Sequence, residues 1–188
     1  MGYYDHVENV EEYVAMAEGY DGRELVAALR EYLRAGASVL ELGMGPGKDL
    51  KLLNEHFCAT GSDSSAVFLD RFRQEDPAAG LLLLDAVTLE TDRQFDALYS
   101  NKVLRHLTEP QLAESFRRQA LILRSRGILL HSFWYGDQVE EHSGLLFVHH
   151  TEDSLGQAIG DRYDLLESKR YTEIDPDDSL YVVLRKRT

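Results

Sequence analysis

Short apolar runs alternate with helical patterns along this chain, and that alternation limits its fold more than any other feature. Five runs have the length and composition of buried strands: residues 38–42, 58–62, 81–84, 95–100 and 127–133. Strands that alternate with helices form a mostly parallel sheet with helices on both faces. Two later extended runs are joined by the turn composition "DPDD" and predict an antiparallel pair, residues 163–174 and 180–187. We therefore expect an α/β fold, a three-layer αβα sandwich whose mostly parallel seven-stranded sheet ends in an antiparallel C-terminal hairpin strand.

Helical spacing of apolar residues occupies the segments between these runs. It predicts helices over residues 23–34, 49–57, 65–74 and 151–159. Ser64 is the expected cap of the third helix, and Thr108 and Gln111 have the spacing of a capping box that begins another. Residues 135–150 show no regular pattern. Because no repeat or linker interrupts the chain, we expect a single domain over residues 1–188.

Charge and cysteine content exclude several classes of protein. The formal net charge is −13, which opposes tight binding to a phosphate backbone. A single cysteine, Cys58, allows neither an intrachain disulfide nor a cysteine-rich metal site. No apolar stretch reaches membrane-spanning length, and the N-terminal residues lack the pattern of a secretory signal. We expect a cytoplasmic protein that binds neither nucleic acid nor membrane.

Polar and glycine residues follow the predicted strands at the points where each strand ends. The first run is followed by "ELGMGPG", whose three glycines between residues 43 and 47 permit sharp turns and close approach of a ligand to the backbone. Asp63 and Asp85 follow the second and third runs, and Asn101 follows the fourth. In parallel sheets ligands bind at this edge, and an acid after the second strand can accept hydrogen bonds from ribose hydroxyls. These residues predict a nucleoside-containing ligand.

The glycine loop fits two common phosphate-binding patterns poorly. A P-loop needs four residues between its first glycine and the Gly-Lys pair, but here the spacing from Gly43 is one residue short. Asp49 also stands where a P-loop carries the hydroxyl that holds magnesium. In the dinucleotide pattern the third glycine would fall at position 48, which is a lysine. Both patterns stay open as less favoured alternatives.

A third pattern accounts for more of the chain. "ELGMGPG" resembles the E/D-x-G-x-G-x-G signature of the class I S-adenosylmethionine-dependent methyltransferases. The segments "GSDSS", "LLLLDAVTL", "FDALYSNKVLRHLTEPQL" and "GILLHSF" resemble the next four strand ends of that family, in order. "YDLLESKRYTE" and "SLYVVLRKR" resemble its terminal strand pair, so the similarity extends over about residues 20–188.

The resemblance implies a Rossmann-like core over residues 36–188, preceded by a helical lid over residues 1–35. It implies S-adenosylmethionine as cofactor and S-adenosylhomocysteine as product. It assigns the glycine loop to the methionine end of the cofactor, Asp63 to the ribose, Asp85 and the Ala86 backbone to the adenine, and the residues after the fourth strand to the region of the methyl group. The full set of expected cofactor-binding residues is Tyr20, Glu41, Gly43, Met44, Gly45, Gly47, Asp63, Ser64, Asp85, Ala86, Asn101 and Lys102.

The sequence says less about the residues that would act on the methyl acceptor than about those that would bind the cofactor. His106 lies after the fourth strand and is our candidate catalytic base, ahead of Tyr20 and Tyr135. His131 falls within the fifth strand, where a buried, hydrogen-bonded structural role is expected instead. The remaining histidines near residues 142–150 lack the spacing of metal ligands, so we expect no metal site.

Two hypotheses about function remain. The fourth-strand residues begin with Asn101 and Lys102 rather than with the Asn-Pro-Pro-Tyr of many enzymes that methylate amino groups of bases or glutamine. Together with the net charge of −13, this favours methyl transfer to a small-molecule acceptor, by a monomer or homodimer. The alternative is a cofactor-binding regulatory or accessory protein that has the fold but transfers no methyl group.

Overall fold

The computed structural model describes residues 2–188, which form a sheet covered by helices on both faces. The helices are α1 (Val7–Met16), α2 (Arg23–Arg30), α3 (Lys48–Asn54), α4 (Ala66–Glu75), α5 (Glu109–Ile122) and α6 (Glu152–Ile159). The strands are β1 (Ser38–Leu42), β2 (Cys58–Asp63), β3 (Leu81–Leu83), β4 (Phe95–Asn101), β5 (Leu123–Trp134), β6 (Val139–His142), β7 (Leu145–Val148), β8 (Tyr163–Tyr171) and β9 (Ser179–Lys186).

Seven of the strands form the main sheet in the order β3-β2-β1-β4-β5-β9-β8. The pairs among the first five are parallel, whereas β9 runs antiparallel to both of its neighbours. The expected fold is therefore confirmed. The strand order reverses at β1 and β4, which places the ends of these two strands beside each other at the carboxyl edge of the sheet.

Alternating side chains of the central strands supply the two halves of the core. Leu40 and Leu42 of β1 face α5 and α6, while Val39, on the opposite face of the strand, faces α2 and α3. All three side chains are at most 1% exposed. A smaller cluster under α4 contains Met44 and Phe72. The glycine loop thus emerges from the most buried strand of the sheet.

Two local expectations were wrong. The cap of α4 is Ser65 rather than Ser64, because the Ser65 hydroxyl oxygen accepts a hydrogen bond from the Phe68 backbone N–H at 3.3 Å. Residues 135–150 are not irregular, since β6 and β7 form an antiparallel hairpin. Its turn is the two-residue Ser143-Gly144, and both residues have positive φ, 53° and 78°. That geometry is typical of tight hairpin turns, so the dipeptide "SG" was the signal that the sequence offered.

No helix in the part of the chain that the structure describes is both long and apolar enough to cross a membrane.

Candidate active site

The glycine loop leaves β1 in a conformation that only glycine adopts easily. Gly43, Gly45 and Gly47 have φ of 64°, 50° and 77°. The loop is closed by backbone hydrogen bonds, from Met44 N–H to the Ser62 carbonyl and from Gly47 N–H to the Met44 carbonyl, both at 2.8 Å. Met44 itself turns its side chain into the core, where the residue is 3% exposed. The loop therefore presents backbone, not side chains, at the carboxyl edge of the sheet.

Asp63, at the end of β2, holds this loop in place. One carboxylate oxygen accepts from the Gly45 N–H at 2.9 Å, and the other accepts from the Ser65 N–H at 2.9 Å. Burial raises the pKa of Asp63, and the hydrogen bonds from Ser65 and Gly45 act against that shift. Each carboxylate oxygen can accept more than one hydrogen bond, so Asp63 keeps capacity for a ligand. Ser64, beside it, is exposed.

Two further carboxyl groups lie buried near the loop. Glu41 in β1 is 4% exposed and Asp49 in α3 is 5% exposed. Burial raises the pKa of both groups, and the charges of Asp49 and Asp63 raise that of Glu41 further. One oxygen of each, Oε2 of Glu41 and Oδ1 of Asp49, has no hydrogen-bond partner within residues 2–188. Buried acceptors without donors are costly, so this pair suits a cationic ligand group such as an ammonium.

Sequence reasoning did not assign Asp49 to this site. There, Asp49 served only as evidence against a P-loop. Its Oδ2 accepts from the Tyr99 hydroxyl at 2.7 Å and from the Asn101 side-chain amide at 3.1 Å. Gly22 lies so close that a Cβ there would come within 2.0 Å of Asp49 Oδ1. A carboxylate one position inside a helix after a glycine turn was the available signal.

Asn101 and Tyr20 meet beside Asp49. The Asn101 side-chain amide donates to the Tyr20 hydroxyl oxygen, and the Asn101 carbonyl oxygen accepts from the Ser132 hydroxyl. Burial raises the pKa of Tyr20, and the charge of Asp49 raises it further. The structure thus brings Tyr20, Glu41, Asp63 and Asn101 to one edge of the sheet, around the glycine loop.

Lys102 has a left-handed backbone, with φ of 58°. Its Nζ lies 3.0 Å from Glu173 Oε2, donates to the Ser179 hydroxyl at 2.6 Å, and stands 3.6 Å from the centre of the Trp134 ring. Burial lowers the pKa of Lys102 to about 8, although Glu173 acts in the opposite direction. Trp134 reaches Lys102 through the pairing of β4 with β5, and Glu173 reaches it from the loop between β8 and β9.

Asp85 follows β3, the strand that pairs with the end of β2 at Asp63. It is exposed, and its Oδ1 accepts from the backbone N–H groups of Val87 and Thr88 at 2.8 and 3.0 Å. These bonds fix the turn after β3. The neighbouring Ala86 carbonyl oxygen accepts from the Ser115 hydroxyl at 2.6 Å, which ties this turn to α5.

A buried polar chain starts at this Ser115 and ends in β4. The Gln119 amide donates to the Ser115 hydroxyl oxygen at 3.0 Å, and its carbonyl oxygen lies 2.8 Å from His131 Nε2. His131 Nδ1 lies 2.8 Å from the Ser100 hydroxyl. Donors and acceptors all match when His131 is neutral with its proton on Nε2. The expected structural role of His131 agrees with this geometry.

We predict that His131 stays neutral and makes the protein sensitive to acid. Burial lowers its pKa from 6.5 to about 3, so the unfolded chain binds a proton that the folded protein does not. Stability should therefore fall as the pH drops below 6.5, by about 1 kcal/mol per pH unit from this residue. Urea unfolding of wild type and His131→Asn between pH 6.5 and 5 checks this. The variant should show the shallower pH dependence, and parallel curves would contradict the prediction.

His106, the candidate base, supports the β6–β7 hairpin. Its Nδ1 donates to the Leu146 carbonyl oxygen at 2.6 Å, and its ring packs edge-on against Phe147, with centroids 4.9 Å apart. Burial lowers its pKa, while the hydrogen bond to Leu146 acts against that shift. The second ring nitrogen, Nε2, makes no hydrogen bond within residues 2–188.

The N-terminal segment covers the glycine loop from outside. The Tyr4 and Tyr13 rings pack on Phe68 of α4, with centroids 5.5 and 5.8 Å away. The Ser65 hydroxyl donates to the Tyr4 carbonyl oxygen at 2.5 Å, and Lys48 Nζ donates to the Ala17 carbonyl oxygen. The segment is thus held at several points along its length.

Within residues 2–188, no group of three histidine, cysteine, aspartate or glutamate side chains is arranged to hold a metal ion.

Comparison with known proteins agrees with this architecture. A family model described as a methyltransferase domain matches residues 39–127. A chain in the complex between the Haloferax volcanii Trm112 methyltransferase activator and the putative methyltransferase has a TM-score of 0.81 at 17% identity, covering 100% of this chain and 98% of that chain. The 1,6-didemethyltoxoflavin-N1-methyltransferase of Burkholderia thailandensis, with 1,6-didemethyltoxoflavin and S-adenosylhomocysteine bound, has a TM-score of 0.75 at 19% identity, covering 100% and 92%.

A third similar structure is the N-methyltransferase NodS from Bradyrhizobium japonicum WM9 in complex with S-adenosylhomocysteine. Its TM-score is 0.70 at 16% identity, and the match covers 88% of this chain and 85% of that chain. At these identities the likeness establishes the fold, and the family model adds a match to a methyltransferase domain over residues 39–127.

Proposed function

We propose that this chain, whose residues 39–127 form a class I S-adenosylmethionine-dependent methyltransferase domain, transfers a methyl group to a small-molecule acceptor. The main support for a small acceptor is the position of the N-terminal segment, which lies over the glycine loop. Tyr4, Tyr13 and Ala17 all contact residues at the edge of the loop or of α4. An acceptor enclosed beneath such a cover must be small. The net charge of −13 supports the same choice, since it repels nucleic acids.

The buried carboxyl groups suit the cofactor. S-adenosylmethionine supplies an activated methyl group on a sulfonium, and its amino-acid end carries an ammonium. Glu41 Oε2 and Asp49 Oδ1, which lack donors in the protein, are the acceptors that we assign to this ammonium. The backbone of the positive-φ glycine loop permits close approach of the same end of the cofactor.

The other end of the cofactor has matching partners. We assign the ribose hydroxyls to Asp63, whose carboxylate already orients the loop through Gly45. Asp85 and the Ala86 N–H are assigned to the adenine. The buried chain from Ser115 to His131 would keep the Ala86 turn in position, because it fixes the Ala86 carbonyl from beneath.

The protein contributes alignment and exclusion of water rather than activation of the methyl group. Tyr20 and Asn101 are joined to each other and to Asp49, so they form a rigid wall between the glycine loop and the acceptor region. His106 is the proposed base for acceptors that must lose a proton, through Nε2, since Nδ1 is engaged with Leu146.

The first test measures cofactor binding by thermal shift and methyl transfer by release of S-adenosylhomocysteine. We expect S-adenosylmethionine and S-adenosylhomocysteine to raise the Tm and NAD to leave it unchanged. Asp63→Ala should weaken S-adenosylhomocysteine binding by about 10- to 100-fold, because charge-assisted hydrogen bonds are lost. Asp70→Ala is the matched control, since Asp70 is exposed on α4 and pairs with Arg73.

Stabilisation by NAD alone would overturn the cofactor assignment. With binding established, candidate acceptors are supplied as separate pools of small metabolites, transfer RNA and proteins. Turnover confined to the metabolite pool is the expected result. Turnover of a macromolecular pool would contradict the acceptor class, and cofactor binding without turnover of any pool would favour the accessory role.

A further inference from the structure

Arg105 is partly buried beside the region assigned to the acceptor. It lies in a short turn after β4, four residues beyond Asn101. Its guanidinium carbon is 4.4 Å from the centre of the Phe147 ring and 5.6 Å from that of Trp134. Charge interactions with the phenols of Tyr13 and Tyr4 place it close to the N-terminal segment as well. Arg105 therefore stands between that segment and the β6–β7 hairpin.

This arginine lacks a polar partner within residues 2–188. Its Nε is buried and makes no hydrogen bond. Acids are plentiful in this chain, which has 33 aspartates and glutamates against 20 lysines and arginines. Other arginines at the surface do form ion pairs with them: Arg23, Arg73, Arg117, Arg124, Arg170 and Arg187. Arg105 differs from the remaining arginines because its Nε is buried, and a buried donor without an acceptor is unfavourable.

A second cation lies beside Arg105. Lys102 Nζ lies over the same Trp134 ring, at 3.6 Å. The nearby carboxylate of Glu173 is 3.0 Å from Lys102 and forms its ion pair. The charges of Glu173 and Glu140 act on Arg105 as well, but neither carboxylate forms an ion pair with it. A ligand that brings a negative charge would complete this group of side chains.

We infer that Arg105 binds a carboxylate of the methyl acceptor. The inference rests on the proposed function, because it identifies this region as the acceptor side. A planar carboxylate can take two parallel hydrogen bonds from a guanidinium, including one from Nε–H. The rings of Phe147 and Trp134 would flank the organic part of the same molecule. Specificity for an acid over its neutral amide follows, since the amide leaves the charge on Arg105 unpaired.

Benzoate and benzamide, which have the same shape and differ in charge, are suitable probes. Thermal shifts are measured on the full chain saturated with S-adenosylhomocysteine, at constant ionic strength. Benzoate at about ten times its Kd should raise the Tm of wild type by about 3–6 °C, and benzamide should not. Arg105→Gln should lose the response to benzoate. Arg185→Gln, which removes a partly buried arginine on β9, should keep it.

Each other outcome overturns the inference. An equal response to benzoate and benzamide would mean that the rings, not the charge, bind the probe. Absence of a benzoate-specific response in wild type at tens of millimolar, or its persistence in Arg105→Gln, would leave Arg105 as a packing residue. A larger response to inorganic phosphate than to benzoate would replace the carboxylate with a phosphoryl group. The Tm rise with S-adenosylhomocysteine alone is recorded first, so failure of the cofactor assignment is detected separately.

Discussion

Gly47→Ala is expected to lower the free energy of unfolding by about 3 kcal/mol or more and to abolish detectable cofactor binding. Gly47 has φ of 77°, which is costly for any residue with a side chain. A Cβ at this position would also lie 2.2 Å from Cε2 and 2.3 Å from Cδ2 of Phe72. Phe72 is 3% exposed and packs in the cluster under α4, so its ring has no room to move away. Urea unfolding and S-adenosylhomocysteine titration measure the two effects.

Gly36→Ala separates the two causes of that loss. Gly36 has a similar φ of 73°, but a Cβ there would meet no atom within 4 Å. The free energy of unfolding of Gly36→Ala should therefore fall by only about 1 kcal/mol, the cost of a left-handed backbone at alanine. This variant should bind the cofactor as wild type does. If both variants lose the same free energy, the contact between the glycine loop and Phe72 is not what requires glycine at position 47.

Some features of the fold could be predicted from the sequence because their signals are local. The alternation of apolar runs with helical patterns predicted a mostly parallel sheet, because buried parallel strands leave continuous apolar runs in the sequence. Thr108 and Gln111 correctly located the start of α5, where the Thr108 N–H donates to the Gln111 side chain at 2.9 Å. Such signals are local, and each depends on residues only a few positions apart.

The unpredicted parts of the site depend on contacts between distant segments. Asp49 gains its role from Tyr99, 50 residues away. Lys102 meets Ser179, 77 residues away, only once β9 has paired with β5. Neither contact has a sequence period, so no pattern reveals it. Arg105 was missed for a different reason. Its distinguishing feature is a buried Nε without a hydrogen-bond partner, which only a structure shows.

Glu41→Gln is expected to stabilise the ligand-free protein while weakening cofactor binding. Glu41 is buried with one oxygen unpaired, so its charge costs folding energy that a ligand is needed to offset. At pH 8 the variant should be more stable than wild type by about 1–3 kcal/mol. Its affinity for S-adenosylhomocysteine should fall by about 10- to 100-fold, because a charged acceptor for the ammonium is lost.

The sign of the pH dependence follows from the direction of the pKa shift. Burial raises the pKa of Glu41 above its usual 4.5, and the charges of Asp49 and Asp63 raise it further. Between 4.5 and the raised pKa the folded protein holds a proton that the unfolded chain releases. The contribution of Glu41 to the stability of wild type is therefore fully present below pH 4.5. It is lost as the pH rises from 4.5 through the raised pKa. Urea unfolding should show the advantage of Glu41→Gln growing from pH 5 to pH 8.

Saturating S-adenosylhomocysteine should remove most or all of the advantage of Glu41→Gln, since a 10- to 100-fold loss of affinity corresponds to about 1.4–2.7 kcal/mol. Glu31→Gln makes the same change of charge at an exposed position and should stay within about 0.5 kcal/mol of wild type under both conditions. If Glu41→Gln behaves like this control, the buried carboxyl is not held for a cationic ligand. If instead it loses stability without ligand, Glu41 has a structural partner. The expected loss of the variant's advantage on binding would mean that the chain tolerates a less stable apo state in order to bind its cofactor, as sites that hold unpaired charges generally require.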